Sequence, residues 1–205
     1  MAQYIWADIQ ELFGALNKEC NYLILRNYEE IDENKFLMEK HPDIDLLCDN
    51  PGKLKRCLNP VINFGAIRHK DHYWVKIGSR LVEVGIRSVG DCYYDTKWAQ
   101  DMLDTRMFHP GGFYTMNTAN YFYSLIYHAV FHKKIFSEDY LIRLHDMADT
   151  LQITPLAETE EDYTALLFQF MKEKGYFITC PRDITIPMQF NKIPNTNLAI
   201  THIDR

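Results

Sequence analysis

Hydrophobic positions recur three and four residues apart in two parts of the chain, which is the spacing of an amphipathic helix. The first part is residues 4–17, and the second begins after Asp95. In the second part the spacing predicts four helices, over residues 96–105, 118–134, 137–149 and 159–174. Acidic residues open the last of them, and lysines close it before Gly175, which matches the helix macrodipole and a glycine C-cap.

Four short segments between these helical parts are rich in apolar residues that alternate with polar ones. They cover residues 22–26, 43–48, 72–77 and 80–89. Alternation with a period of two predicts β-strands, and a short helix is expected after the second strand, over residues 51–57. Strands in the first half and helices in the second predict an α+β fold. We expect a small mixed β-sheet with a helical C-terminal half, divided into residues 1–95 and 96–205, with the C-terminal tail packing back on the body.

The third and fourth strands are separated only by Gly78 and Ser79, which favours a tight hairpin. This short link fixes the register and places Trp74 opposite Glu83. In that register Glu83 and Arg87 lie on the polar face of the fourth strand. A second glycine-containing segment, residues 109–112, is expected to be a loop between the two halves.

The second strand carries two carboxylates on one face. Because side chains alternate along a strand, Asp43 and Asp45 point the same way, opposite to Ile44. Two neighbouring carboxylates repel each other unless a cation lies between them, and a divalent metal that holds a phosphate is the simplest such cation. Glu83 is the candidate for a third carboxylate. The alternative interpretation of Asp43 and Asp45 is a solvated strand edge.

Composition and charge narrow the function classes. The chain has 205 residues, of which 47% are hydrophobic, and a net charge of -6. The negative charge gives no electrostatic reason to expect a long nucleic acid as partner, whereas a small metal-bound nucleotide is compatible with it. Five cysteines without a Cys-x-x-Cys spacing, no signal peptide and no apolar run of membrane-spanning length lead us to expect a cytoplasmic protein with no membrane span.

The acidic strands and their surroundings resemble the nucleotidyltransferase-fold superfamily, which contains DNA polymerase beta. The superfamily pattern is a helix, a strand, an Asp-x-Asp strand and a third acidic strand. It is matched by Leu23-Ile24-Leu25-Arg26-Asn27-Tyr28-Glu29, Asp43-Ile44-Asp45-Leu46-Leu47 and Leu81-Val82-Glu83-Val84. The chain is similar to a minor branch found with surface-polysaccharide genes, through Gly85-Ile86-Arg87-Ser88-Val89-Gly90-Asp91, Tyr93-Tyr94-Asp95 and Trp98. The first half of the chain carries most of this resemblance.

The resemblance implies a metal-dependent transferase that moves a nucleotidyl or phosphoryl group to a sugar or alditol acceptor. Asp43, Asp45 and Glu83 would hold Mg²⁺ or Mn²⁺ and form the catalytic set. Arg26 and Arg87 would bind the phosphate of the nucleotide or nucleotide-linked donor.

Two alternatives remain open at this stage. The superfamily usually has a Gly-Ser or Gly-Gly turn after its first strand to hold a triphosphate, and this chain has Arg26-Asn27 there. This missing turn favours a non-catalytic module that binds a nucleotide or a partner. The other alternative, implied by further members of the fold that the chain resembles, is a phospho-alcohol transferase with a CDP-linked donor.

Two further residues are candidates for substrate contacts. Asp91 follows the fourth strand in a loop, where it would act as a base or a further ligand, or else pair structurally with Arg87. His128 lies one helical turn before His132, and the apolar residues around them favour a core position for the pair. One of these two histidines is nevertheless a candidate to face the cleft.

Overall fold

The computed structural model describes residues 4–31, 37, 42–61, 72–154 and 157–193, and these form an α+β fold. Six strands join one mixed sheet: β1 Tyr22–Ile24, β2 Asp43–Cys48, β3 His72–Ile77, β4 Arg80–Ser88, β5 Met107–His109 and β6 Phe113–Thr115. The described residues also contain six α-helices: α1 Ile9–Glu19, α2 Pro51–Leu58, α3 Thr96–Asp104, α4 Thr118–Phe131, α5 Glu138–Thr150 and α6 Glu160–Lys174. None of these helices has the length and apolarity that crossing a bilayer requires.

The strands are ordered β3-β4-β2-β1-β6-β5 across the sheet. The Asp-x-Asp strand β2 lies between β1, to which it is antiparallel, and β4, to which it is parallel. The hairpin of β3 and β4 has the predicted register, with Trp74 opposite Glu83, so that prediction is confirmed. The helices predicted from spacing are confirmed to within a few residues at each end, apart from the first, which begins at Ile9 rather than at residue 4.

Strands β5 and β6 were not predicted. Residues 109–112 join them as a hairpin turn, in which the backbone N–H of Gly112 donates to the carbonyl of His109 at 2.9 Å. Each strand has only three residues, so the alternation is too short to distinguish from a loop. Because β6 pairs with β1 through Ile24 and Thr115, the sheet contains residues from both sides of Asp95.

Two apolar layers cover the two faces of the sheet. Ile44 and Leu46 of β2 pack with α1 and α2 in one layer, whereas Leu47 belongs to the other layer, with α3 to α6. Asp43 and Asp45 share the parity of Leu47, so their side chains project toward the helical layer. The carboxylate face of the sheet is thus covered by the second half of the chain.

Helix α4 is the centre of the helical layer. Eleven of its fourteen residues are buried, which is expected of a helix that is surrounded by other elements. The tail after Gly175 packs against it, with Ile178 in the core and the N–H of Gln189 donating to the carbonyl of Phe131 at 2.8 Å. The tail therefore returns to the sheet side of the helical layer and contributes to the site described next.

Candidate functional site

The three predicted carboxylates lie on one face of the sheet. Asp43 and Glu83 are register partners on the neighbouring strands β2 and β4, and Asp45 is the partner of Gly85 one pleat further along. The carboxylate of Glu83 lies 2.6 Å from Nδ1 of His72, which is the β3 partner of Gly85. The sheet thus presents a row of acidic side chains toward the helical layer.

A pocket of about 270 Å³ lies between this face, the end of α4 and the tail. Four sequence-predicted residues besides His128 line it: Arg26, Asp43, Asp45 and Arg87. The remaining lining residues are His72, Tyr93, His132, Lys133, Thr185, Ile186 and Pro187. The three cationic side chains, Arg26, Arg87 and Lys133, outnumber the two carboxylates, so the pocket is suited to an anionic ligand.

Arg26 and Asp45 form a buried ion pair in this pocket. Nη2 of Arg26 donates to the carboxylate of Asp45, and the two side chains are 9% and 19% exposed. Burial by itself would raise the pKa of Asp45, but the charges of Arg26 and Arg87 outweigh it and the net pKa is lowered. Arg26 is therefore a cation that relieves the repulsion expected between the two aspartates.

Tyr93 connects the arginines to the histidines. Its hydroxyl accepts from Nη1 of Arg26 at 3.5 Å and lies 2.6 Å from Nδ1 of His128. The guanidinium of Arg87 lies 5.0 Å from the centre of the Tyr93 ring, and the ring of His132 stacks on it at 4.3 Å. This single tyrosine orders four charged or titratable side chains around the pocket.

The contacts of the two pocket histidines fix the tautomer of His132. Nδ1 of His128 lies 2.6 Å from the hydroxyl of Tyr93, a group that both donates and accepts, so this contact is compatible with either tautomer of His128. His132 is held by the carbonyl of Pro187 at 2.8 Å. A carbonyl only accepts, so Nδ1 of His132 carries the proton and its Nε2 has the free lone pair.

Both histidines are neutral at pH 7. Burial, with the charge of Arg26, lowers the pKa of His128 well below its usual value. Burial also lowers the pKa of His132 to about 4, opposed by its bond to Pro187 and reinforced by the two arginines. The pocket therefore combines permanent positive charge with two uncharged imidazoles.

Arg87 is the most distinctive of the cationic groups. Its side chain is 6% exposed, and its Nε has no hydrogen-bond partner within the described ranges. A buried guanidinium N–H without an acceptor is costly unless a ligand supplies one. Arg87 thus has a donor available for an anion in the pocket.

Asn27 forms the turn that follows β1. Its backbone is left-handed, with φ of 57°, a conformation that asparagine tolerates better than most residues other than glycine. Nη1 of Arg143 on α5 donates to the Asn27 side chain at 3.0 Å. The sharp turn after β1 is therefore formed without glycine, and the helical layer holds it in place.

The three carboxylates are suitable ligands for a divalent cation, since Mg²⁺ prefers carboxylate oxygens and all three lie on the same side of the sheet. Asp45 is engaged by Arg26, however, and Glu83 by His72. No group of three His, Cys, Asp or Glu side chains placed to hold a metal ion occurs among the described residues. The arrangement provides the ligands, with the arginine and the histidine as competitors for them.

Two predicted site residues do not line the pocket. Glu83 lies on β4 between two strands that contribute lining residues, and its carboxylate contacts the lining residue His72. The carboxylate of Asp91 accepts the backbone N–H groups of Ser88 at 3.1 Å and Tyr93 at 2.8 Å, so it shapes the turn that positions Tyr93.

Several lining residues were missed by sequence reasoning. The four-residue spacing of His128 and His132 is a signal that both share one face of α4. Lys133 and the tail segment with Pro187 carry no local pattern that indicates a site.

A larger groove, of about 810 Å³, lies between α3 and the tail. Its central polar groups are engaged in structure: Asp95 caps α3, and Nζ of Lys97 donates to the carbonyl of Lys174 at 2.7 Å. None of the metal or phosphate ligands predicted from the sequence lines it.

Comparisons with protein-family models, with curated proteins and with solved structures gave no match.

Proposed function

We propose that this protein is a transferase that moves a nucleotidyl or phosphoryl group from a nucleotide or nucleotide-linked donor to a hydroxyl of a sugar or alditol. The observation that carries the proposal is one pocket in which Arg26, Arg87 and Lys133 lie beside Asp43 and Asp45. Guanidinium groups bind phosphate oxygens by parallel hydrogen bonds, and carboxylates bind the metal that accompanies a nucleotide. We propose a fold of the nucleotidyltransferase type. The proposed role is in glycan biosynthesis, and the proposed compartment is the cytoplasm.

The roles follow from the contacts of each side chain. Arg87 binds the donor phosphate, because its buried Nε has no other acceptor among the described residues. Mg²⁺ or Mn²⁺ held by Asp43, Asp45 and Glu83 would polarise the phosphorus and neutralise the donor. Arg26 competes with the metal ion for the carboxylate of Asp45. When the metal binds this carboxylate, the guanidinium of Arg26 is released and binds the donor phosphate.

A non-catalytic nucleotide-binding or partner-binding module is the second candidate. The ion pair of Arg26 and Asp45 favours it, because it satisfies one of the proposed metal ligands within the chain. The two candidates differ in whether a bound donor is consumed.

The test is to incubate the protein with labelled CTP and, separately, with a labelled CDP-alcohol, in Mg²⁺ and with sugar or alditol acceptors. Consumption of CTP supports nucleotidyl transfer, and consumption of the CDP-alcohol supports phospho-alcohol transfer. Calorimetric binding without consumption of either donor identifies the binding module. If the protein neither binds nor consumes either donor, the transferase and the nucleotide-binding module are both contradicted.

A further inference from the structure

Nε2 of His132 is a pocket nitrogen that has a lone pair and no hydrogen-bond partner within the described ranges. The His132 side chain is 4% exposed and lines the pocket. Its Nδ1 is fixed by the carbonyl of Pro187, and its ring is stacked on Tyr93. Its buried Nε2 has no hydrogen-bond partner among the described residues. A buried acceptor held this rigidly is costly unless a ligand supplies a proton to it.

The other bases of the pocket have contacts or roles of their own. The carboxylate of Asp45 accepts from Arg26, and Nδ1 of His128 lies 2.6 Å from the hydroxyl of Tyr93. Nδ1 of His72 lies 2.6 Å from the carboxylate of Glu83, and Asp43 is assigned to the metal in the proposed function. The guanidinium and ammonium groups are donors only. His132 therefore offers an acceptor, unengaged among the described residues, to a hydroxyl that enters the pocket.

We propose that Nε2 of His132 binds the hydroxyl of the acceptor and takes its proton during transfer. The proposal rests on the proposed function and adds to it the acceptor subsite and its base. The chemical class of the ligand is an alcohol, presented beside the phosphate that Arg87 binds.

The step balances as a displacement at phosphorus. The acceptor oxygen forms a bond to the phosphorus of the donor phosphoanhydride, and the bond from that phosphorus to the leaving phosphate breaks. The electron pair of the broken bond leaves with that phosphate. The acceptor proton moves to Nε2, which makes His132 an imidazolium that still donates from Nδ1 to Pro187.

The surrounding charges make this base dependent on the donor. The charged and titratable groups that face His132 come from five segments. They are Arg26 after β1, Arg87 on β4, Tyr93 after β4, Tyr127 and His128 on α4, and Lys133 just after α4. In the free pocket the two arginines and Lys133 oppose an imidazolium. A phosphoanhydride bound to them compensates their charge and raises the pKa of His132, so the base strengthens when the donor is present.

The first test is NMR on the wild-type protein labelled with ¹⁵N in its imidazoles, with inorganic pyrophosphate as the probe. Without the probe, His132 should show a protonated Nδ1 and a bare Nε2 at pH 7. With saturating pyrophosphate, its titration midpoint should rise by about one pH unit or more. A protonated Nε2 at pH 7, or a midpoint that pyrophosphate does not move, would overturn the proposal.

The second test compares kinetics of the wild type and His132→Asn with whichever donor is consumed. The asparagine amide replaces Nδ1 as donor to Pro187 and removes Nε2, so the thermal midpoint reports whether the fold is kept. Loss of a general base should lower kcat about 100-fold or more, with little change in the KM of the donor. His145→Gln is the matched control, because His145 bonds the carbonyl of Ala157 outside the pocket and its activity should equal that of the wild type.

Failure of the proposed function and failure of the role of His132 give different results. A wild type that consumes neither donor refutes the proposed function and the role of His132 with it. A wild type that turns over while His132→Asn keeps its kcat refutes only the role of His132.

Discussion

Gly85 leaves the space that the carboxylate of Asp45 occupies. The two residues are register partners on β4 and β2, and a Cβ placed on Gly85 would lie 2.5 Å from Oδ1 of Asp45 and 3.6 Å from Nε2 of His72. An approach of 2.5 Å is well inside van der Waals contact. The backbone of Gly85 has no positive φ, so the glycine is required by the close approach and not by its conformation.

Gly85→Ala should therefore displace the Asp45 carboxylate and disturb its pair with Arg26. Overpacking at a well-packed site costs about 1–3 kcal/mol, and we expect a loss of that size in urea denaturation. The matched control is Gly14→Ala, because Gly14 is in the middle of α1 and nothing lies within 4 Å of its added Cβ. Alanine in an open helix interior should raise stability by about 0.5–1 kcal/mol. Equal effects of the two changes would contradict the steric role of Gly85.

Asp43 and Asp45 should respond differently to removal of their charge. Asp45→Asn leaves the buried guanidinium of Arg26 without its counter-ion, which typically costs about 3–5 kcal/mol. Asp43 is exposed at the start of β2, so Asp43→Asn should leave the unfolding free energy nearly unchanged while weakening Mg²⁺ binding in the presence of nucleotide. Urea denaturation and calorimetry measure the two effects. Unchanged Mg²⁺ affinity in Asp43→Asn would remove it from the metal site.

The pair also predicts an acid dependence. The pKa of Asp45 is lowered in the folded state, so the unfolded state binds its proton first as the pH falls. Stability from Asp45 is complete above its unfolded pKa of about 3.9 and is lost below it. Below pH 4 the wild type should lose unfolding free energy more steeply than Asp45→Asn, and parallel curves would show that this carboxyl is not the group that titrates.

Much of the fold could be predicted from local pattern. The turn at Gly78 and the alternation of β4 were enough to place Glu83 opposite Trp74 and on the carboxylate side. The capping box of Thr159 and Asp162 and the left-handed Gly175 likewise define α6 by local signals. Such elements are determined by residues close together in the sequence, so they can be predicted from one amino-acid sequence.

The site could be predicted only in part, because its closure depends on distant segments. Arg26 follows β1 by two residues, and whether it faces Asp45 depends on the turn at Asn27. The carbonyl of Pro187 bonds to His132, which lies 55 residues earlier in the chain, and no periodicity of the sequence predicts this contact. The ion pair and the tautomer of His132 are products of tertiary packing, which composition and spacing do not encode locally.

Arg87→Lys should weaken binding of a phospho-donor while changing stability little. Lysine keeps the positive charge but loses the parallel hydrogen bonds of the guanidinium and its stacking over Tyr93. We expect the calorimetric Kd of the nucleotide to rise about tenfold or more. Arg106→Lys is the control, since Arg106 also lies over a tyrosine, Tyr114, at 4.6 Å and is outside the pocket. If Arg87→Lys unfolds the protein and the folded fraction keeps its affinity, Arg87 is structural and the phosphate role passes to Arg26.

The neutral histidines of the pocket should make the protein less stable in mild acid. In the unfolded chain a histidine takes up its proton at about pH 6.5, whereas His132 in the folded protein does so at about 4. Between these values the unfolded state binds more protons, so the free energy of unfolding decreases as the pH is lowered through this window. His128, whose pKa is also lowered, adds to the same slope.

Urea denaturation at intervals from pH 7.5 to pH 4.5 measures this slope. His132→Asn should show a smaller loss of unfolding free energy across the window than the wild type, because one of the two titrating imidazoles is gone. His145→Gln controls for the loss of a histidine outside the pocket. An undiminished slope in His132→Asn would mean that His132 takes up its proton at about the same pH in the folded and the unfolded state, which would contradict the lowered pKa of this buried imidazole.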